Sequence, residues 1–323
     1  MIHPHFDLQL VQFFADHRTH FLTHLATLAS FFGSAAFYTP LTLFLYVAWD
    51  KRSAVRLSVL ILLTMSLNGI LKLLIRNPRP FVQQGTYRQK WAVSPANAAQ
   101  LASEYSTPSG HAMGSAAFYS YFATIIRNRF VRSIFVLAIL LIGLSRPYLG
   151  VHYIEDVLLG WAVGLTIASI ATRFGGWIMD LWTGRSYPAQ IGIAAGISLV
   201  LCLITFALNG SIDNQLRDVV ADCGFFTGIV VAFPLELRLV NFDPRSGGPA
   251  IRIVRCVVTF ILVAAVIFGL KLAFRPLASD ATCIGCALEY LRYVAADVVA
   301  IFLMPLIFCR MNLAEPFATA ATN

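Results

Sequence analysis

Three short clusters in this 323-residue chain gather cations, imidazoles, a hydroxyl and a carboxylate at fixed spacings. Lys72 is followed, after six intervening residues, by Arg79-Pro80. Pro108-Ser109-Gly110-His111 form the second cluster, and Ser145-Arg146 the third, with His152 after five further residues and Asp156 four positions beyond it. These residue types suit phosphoryl chemistry. A phosphoryl group in transfer spreads negative charge over its equatorial oxygens, so stabilising it takes fixed cations, N–H donors, a nucleophile and an acid.

Each residue also has a plainer reading. Lys72 alone at a helix end anchors a membrane interface as readily as it binds an anion, and Arg76 and Asn77, outside the spacing, read as anchors. Ser109 and Gly110 precede an apolar helix. The free N–H groups of that helix start favour an anion, and Gly110 lets backbone approach a phosphate, while Ser109 is equally suited to cap the helix. His111, on the first turn, is either an interfacial histidine or a general acid for a leaving oxygen. His152 and Asp156 are four apart, which on a helix puts them on one face. The carboxylate then bonds one ring nitrogen and leaves the other as nucleophile. The alternative is that Asp156 caps the helix or pairs with Arg146.

The elements that must carry these clusters are membrane helices. The chain is 58% hydrophobic and 12% charged, far from a soluble composition. Runs such as Phe32 to Trp49, Val55 to Leu74, Ile134 to Leu149 and Val257 to Phe274 approach the roughly 20 apolar residues that cross a bilayer. The net charge of +8 is explained mostly by basic loops, which mark the cytoplasmic side. These lie at Lys51-Arg52-Arg56, Arg127 to Arg132, Arg173 to Arg185 and Arg238 to Arg255. No cleavable signal peptide is expected at the N-terminus.

Phe6 to Phe14 reads as a short interfacial helix. Phe21 to Trp49 counts as one crossing, broken or tilted near Gly33 and Pro40. A helix over about Ala54 to Ile75 delivers Lys72 to the far face, where Pro78 and Pro80 stop it. Phe81 to Thr107 is a polar extracytoplasmic loop. Helices near Ala112 to Ile126, Ser133 to Leu149 and Asp156 to Thr172 follow, which brings all three clusters to one membrane face. Further crossings are expected near Ile191 to Leu208, Val219 to Leu237, Arg255 to Phe274 and Tyr293 to Cys309. The Gly160/Gly164 and Gly192/Gly196 spacings permit close helix contact.

Together the clusters resemble the type 2 phosphatidic acid phosphatase superfamily, the lipid phosphate phosphatases. Its signature is Lys-x6-Arg-Pro, Pro-Ser-Gly-His and Ser-Arg-x5-His-x3-Asp, and it stands complete here. The resemblance covers about Leu22 to Thr172. It implies an all-α polytopic transmembrane protein with a phosphatase core over residues 1–178, and a C-terminal helical extension of unknown role over 179–323. It also implies a metal-free enzyme of the cytoplasmic membrane with its site on the extracytoplasmic side and no cofactor. His152 would attack phosphorus, Asp156 orient it and His111 protonate the leaving group. Lys72, Arg79, Ser109, Gly110 and Arg146 would hold the phosphate. The implied partners are membrane lipids and a lipid phosphate or diphosphate, such as undecaprenyl diphosphate or phosphatidylglycerol phosphate, with no nucleic acid. Two rivals remain at this point: a lipid phosphotransferase working through the same phosphohistidine, and a non-catalytic lipid-binding or flipping protein.

Two other groups attract notice. His3, His5, His17, His20 and His24 lack the partners of a metal site. Cys283 and Cys286 are placed in an outer loop, where they either form a local disulfide or stay as thiols.

Overall fold

The structure, a computed structural model, describes residues 9–83, 101 and 104–317. Among them every regular element is a helix, and Phe242 and Pro316 form only an isolated bridge. In chain order the helices are α1 (Gln9–Asp16), α2 (His20–Phe31), α3 (Ala35–Ala48), α4 (Lys51–Ile75), α5 (Pro80–Gln83), α6 (Gly110–Ile125) and α7 (Arg129–Tyr148). They continue with α8 (Ile154–Thr183), α9 (Tyr187–Asn209), α10 (Asn214–Leu239), α11 (Pro249–Phe274), α12 (Cys283–Asp297), a π-helical turn (Val298–Leu303) and α13 (Met304–Arg310). Among the described residues seven helical segments are long and apolar enough to cross a membrane, and the bent pair α2 and α3 would make an eighth. The protein is an integral membrane protein with multiple spans.

Several elements differ from the sequence reading in instructive ways. The break between α2 and α3, a bend of 49°, falls at residues 32–34 and so at Gly33, whereas Pro40 sits inside α3. Space explains the choice of Gly33: a Cβ there would meet Ile142 Cγ2 at 2.5 Å. Helix α6 has 16 residues, about 24 Å of rise, and falls short of the length of a free-standing crossing. Its Ala, Gly and Ser faces are buried on nearly all sides, including Ala112, Met113, Ala116 and Ala117. Helix α8 runs on to Thr183, so Arg173 lies within a helix rather than a loop. Cys283 and Cys286 likewise open α12, because the Thr282 side chain accepts from Gly285 N and starts the helix there; both are free thiols. Of the N-terminal segment, Phe6 to Leu8 and the histidines at 3 and 5 lie outside the described residues, as does most of the polar loop.

The described chain packs as two units that interleave along the sequence. The first contains residues 1–38, 64–179 and 207–209, and the second 39–63, 180–206 and 210–323. In the first unit α6 is the central helix. Gly160 and Gly164 of α8 let α8 close on it, since a Cβ on Gly160 would lie 2.9 Å from Ser109 O and one on Gly164 only 2.3 Å from Met113 O. Gly192 and Gly196 have the same spacing and nothing within 4 Å. A test follows from that contrast. Gly164→Ala should cost about 2–3 kcal/mol, because the obstacle is backbone that cannot rotate away. Gly192→Ala should be neutral or slightly stabilising through helix propensity. Thermal unfolding of the two variants in detergent checks this, and equal midpoints would refute the close packing of α8 on α6. Helix α1 joins this unit through Val11, which is buried with Phe81, Leu149 and Val151.

The second unit is held by glycine contacts of another pair. A Cβ on Gly224 would lie 2.7 Å from Tyr290 O, and one on Gly228 2.7 Å from Asp297 Cβ, so α10 and α12 touch nearly backbone to backbone. Several of its charges are paired. Lys51 Nζ sits 2.8 Å from Glu236 and 3.2 Å from Asn241 Oδ1, and Arg217 and Arg292 share Glu289 at 2.8 and 2.6 Å. Such pairing is what permits ionised groups near a bilayer. Helix α11 leaves Phe260, Ile261, Phe268 and Leu272 exposed, an apolar surface that suits hydrocarbon and would be a liability in water.

Candidate active site

All eight residues singled out from the sequence lie in the first unit. They are delivered by the end of α4 and the turn after it, the loop entering α6, the last turn of α7 and the bend before α8. Asn68 on α4 ties two of these parts together. Its Nδ2 donates to Pro108 O at 3.1 Å, and a Cβ on Gly110 would meet its Oδ1 at 3.1 Å. A Cβ at Gly110 would therefore crowd the Asn68 side chain where α4 meets the start of α6.

His152 and Asp156 form a dyad. Nδ1 of His152 lies 3.3 Å from Asp156 Oδ2, and Asp156 is fully buried. The helix begins at Ile154 rather than at His152, so the pair spans a bend and the first helical turn. Asp156 does more than orient the ring: Tyr153 N donates to Oδ2 at 2.9 Å, Ser106 Oγ donates to Oδ2 and Thr107 Oγ1 to Oδ1. It thus caps α8 and holds His152 at once, and none of these donors is Arg146. These donors offset part of the cost of burying a carboxylate there.

The other ring nitrogen fixes the tautomer. Arg79 Nη1 lies 3.1 Å from His152 Nε2, and a guanidinium can only donate. Nε2 is therefore the acceptor, and the ring proton sits on Nδ1, directed at Asp156. Ser106 Oγ, 3.2 Å from Nδ1, spends its own proton on Asp156 and so can accept from the ring. Burial, then Arg79, Arg146 and Lys72, hold the His152 imidazole well below its ordinary value of 6.5. At neutral pH the ring is uncharged with a free lone pair on Nε2, the state a nucleophile requires.

Cations surround this dyad. Arg79 is buried and also donates from Nη1 to Val151 O at 3.1 Å. Arg79 Nη2 and Lys72 Nζ both reach Glu104 Oε2, at 2.9 and 3.2 Å. Arg146 is buried and donates through Nη1 to Ser30 Oγ on α2. Ser109 N donates to Asp156 O at 3.0 Å, while Ser109 Oγ makes no cap bond to α6. Ser109 Oγ, Arg79 Nε and Arg146 Nε are buried with no hydrogen-bond partner. Unsatisfied buried donors are costly, and these three groups have the chemistry to donate to an anion. His111 packs beside Gly33, and Arg146, His152, Arg79 and Lys72 all lie within its electrostatic reach.

Sequence reasoning missed Glu104, Ser106 and Thr107. Glu104 left a signal, being the only acidic residue between Phe81 and Thr107. Ser106 and Thr107 left none beyond their place just before Pro108.

Residues 53–180 match the family model of the PAP2 superfamily, and residues 220–316 match that of the PAP2 superfamily phosphatase transmembrane extension. The chain belongs to the PAP2 superfamily. Part of the helical segment beyond the motifs, residues 220–316, is thus matched by a second model of the same superfamily. Phosphatidylglycerophosphatase B of Bacillus subtilis is 33% identical over 81 residues, which is 22% of this chain and 40% of that protein. Lipid A 4'-phosphatase of Porphyromonas gingivalis is 31% identical over 99 residues, 30% of this chain and 42% of that protein. The match therefore spans about two fifths of each curated relative. Among solved structures, the PAP2-type phosphatidylglycerolphosphate phosphatase of Bacillus subtilis superposes with TM-score 0.44 at 25% identity, covering 52% of this chain and 84% of that one. LpxE of Aquifex aeolicus superposes with TM-score 0.43 at 23% identity, covering 54% and 99%.

Proposed function

We propose that this PAP2 protein is a membrane phosphatase that hydrolyses a lipid phosphate or diphosphate through a phosphohistidine on His152. One observation carries the reading: His152 bonds Asp156 through Nδ1 and presents an unprotonated Nε2 to Arg79, the geometry of an oriented nucleophile beside an anion-binding cation. Nε2 attacks phosphorus as the bond to the lipid oxygen breaks, and His111 gives that oxygen its proton. Arg79 moves from the ring nitrogen onto a phosphate oxygen, joining Lys72, Arg146 and the Ser109 hydroxyl. Water then attacks phosphorus, the N–P bond breaks, His111 takes the water's proton and phosphate leaves. Every charge change is met by a residue of the cluster, so the chemistry needs no metal.

The site opens, in this reading, on the extracytoplasmic side of a cytoplasmic membrane, with the basic loops inside. The names of the two relatives favour an anionic envelope lipid, phosphatidylglycerol phosphate or a lipid A type of phosphate, and undecaprenyl diphosphate belongs to the same chemical class. The test is phosphate release by the purified full chain in detergent, against a panel of lipid monophosphates and diphosphates with chelator present. Release from at least one lipid, unaffected by the chelator, is expected. Activity abolished by the chelator would refute the metal-free mechanism. Release only when a second lipid is added as acceptor would make the protein a phosphotransferase, and no turnover with any lipid would remove the enzymatic reading.

A further inference from the structure

Two of the three cations assigned to the substrate phosphate are already engaged by one carboxylate oxygen. Glu104 Oε2 lies 3.2 Å from Lys72 Nζ and 2.9 Å from Arg79 Nη2, the bridging arrangement a phosphate oxygen would make between the same two groups. We propose that Glu104 occupies the place of a substrate phosphate oxygen in the empty protein, and sets the affinity for phosphate because it must withdraw before the phosphate can bind. The inference rests on the phosphatase reading and concerns the same site.

Charge repulsion supports it. With Glu104 in place, its oxygen holds Lys72 and Arg79 together. A phosphate dianion added beside that carboxylate would set like charges against each other in a largely buried setting, which is costly. With Glu104 withdrawn, both cations are released to the dianion. Burial works to raise the Glu104 carboxyl, but Lys72 and Arg79 outweigh it and hold the group below the usual carboxylate range. It is therefore ionised at neutral pH and competes as an anion. Accessibility makes withdrawal feasible: the Glu104 side chain is 26% exposed, against 12% for Lys72 and 2% for Arg79. The cations are more deeply buried, and the carboxylate has a way out to solvent. After hydrolysis the same carboxylate would reclaim the cations and help expel inorganic phosphate, so tight product binding is avoided by an internal competitor.

The test uses inorganic phosphate as probe, titrated calorimetrically into the purified full chain in detergent. Glu104→Gln removes the charge and nearly preserves the shape, and should tighten phosphate binding by about tenfold or more, which corresponds to about 1.4 kcal/mol. KM for the lipid phosphate should fall with it while kcat does not rise, because product leaves more slowly. Glu104→Asp, which keeps the charge but draws it back by one methylene, should move both quantities the same way by less. It serves as the readout if the glutamine variant does not fold. Unchanged or weaker phosphate binding, in a wild-type background that hydrolyses lipid phosphate, would overturn the inference alone and make Glu104 a fixed support for Lys72 and Arg79. Absence of phosphate binding to wild type and variants together with absence of turnover would overturn the phosphatase reading as well.

Discussion

His152→Ala should abolish phosphate release, with kcat falling by about 10⁴-fold or more, equivalent to about 5.5 kcal/mol of transition-state stabilisation. Nε2 is the nitrogen that carries an available lone pair beside Arg79, with Nδ1 committed to Asp156. Removing the ring removes the covalent step and leaves only the cations and backbone donors, which bind the phosphate without providing an attacking atom. Lipid binding should survive the substitution. Brief exposure to labelled substrate followed by alkaline quenching, which preserves phosphohistidine, should label wild type and leave the variant unlabelled. Substantial turnover by the variant would refute the role of His152, and a non-catalytic carrier would show lipid movement unaffected by the change.

Asp156→Asn should be nearly as damaging, lowering kcat/KM by about 10³- to 10⁴-fold, the scale on which a misoriented tautomer disables an imidazole. Asp156 accepts from Tyr153 N, Ser106 Oγ and Thr107 Oγ1 as well as from His152. An amide offers one acceptor oxygen and one donating NH₂, so at least one of those donors is turned against another donor. If the NH₂ faces His152, the ring must carry its proton on Nε2, where Arg79 also donates and where attack on phosphorus must start. Because Asp156 acts through His152, a merely structural effect is separated by the pH profile. Wild-type kcat/KM should keep an acid limb below pH 6.5, since burial and then Arg79, Arg146 and Lys72 hold the His152 ring well below that value. Protonation on falling pH destroys the nucleophile, so activity is retained above the lowered value and lost beneath it. In the asparagine variant the loss should persist at every pH, with the folded fraction and lipid binding preserved. A variant whose activity per folded molecule matches wild type would remove Asp156 from the mechanism.

The proposed site was legible because its pairs are partly local. His152 and Asp156 are four residues apart across the bend that opens α8, and Pro108 to His111 lead into a helix. Short-range spacing translates almost directly into adjacency when backbone geometry is regular. Membrane character was equally plain, since a bilayer demands long apolar helices whatever the fold. The pairings that complete the site are of another kind. Asp156 takes Ser106 and Thr107 from 50 and 49 positions away, Arg146 takes Ser30 from 116 away, and Glu104 bridges Lys72 and Arg79 from a polar loop.

The glycines draw the same line. Gly160/Gly164 and Gly192/Gly196 are identical as patterns, yet one pair admits the backbone of α6 and the other meets nothing. Residue types and spacings by themselves determined which groups could perform phosphoryl chemistry and that helices in a membrane would carry them. Only the tertiary structure decided which hydroxyls hold the Asp156 carboxylate, which carboxylate stands between the cations and which small residues let the helices close. Those choices depend on contacts between distant segments, and the loop-closure entropy of such contacts is offset only when the whole packing forms, so no local pattern records them.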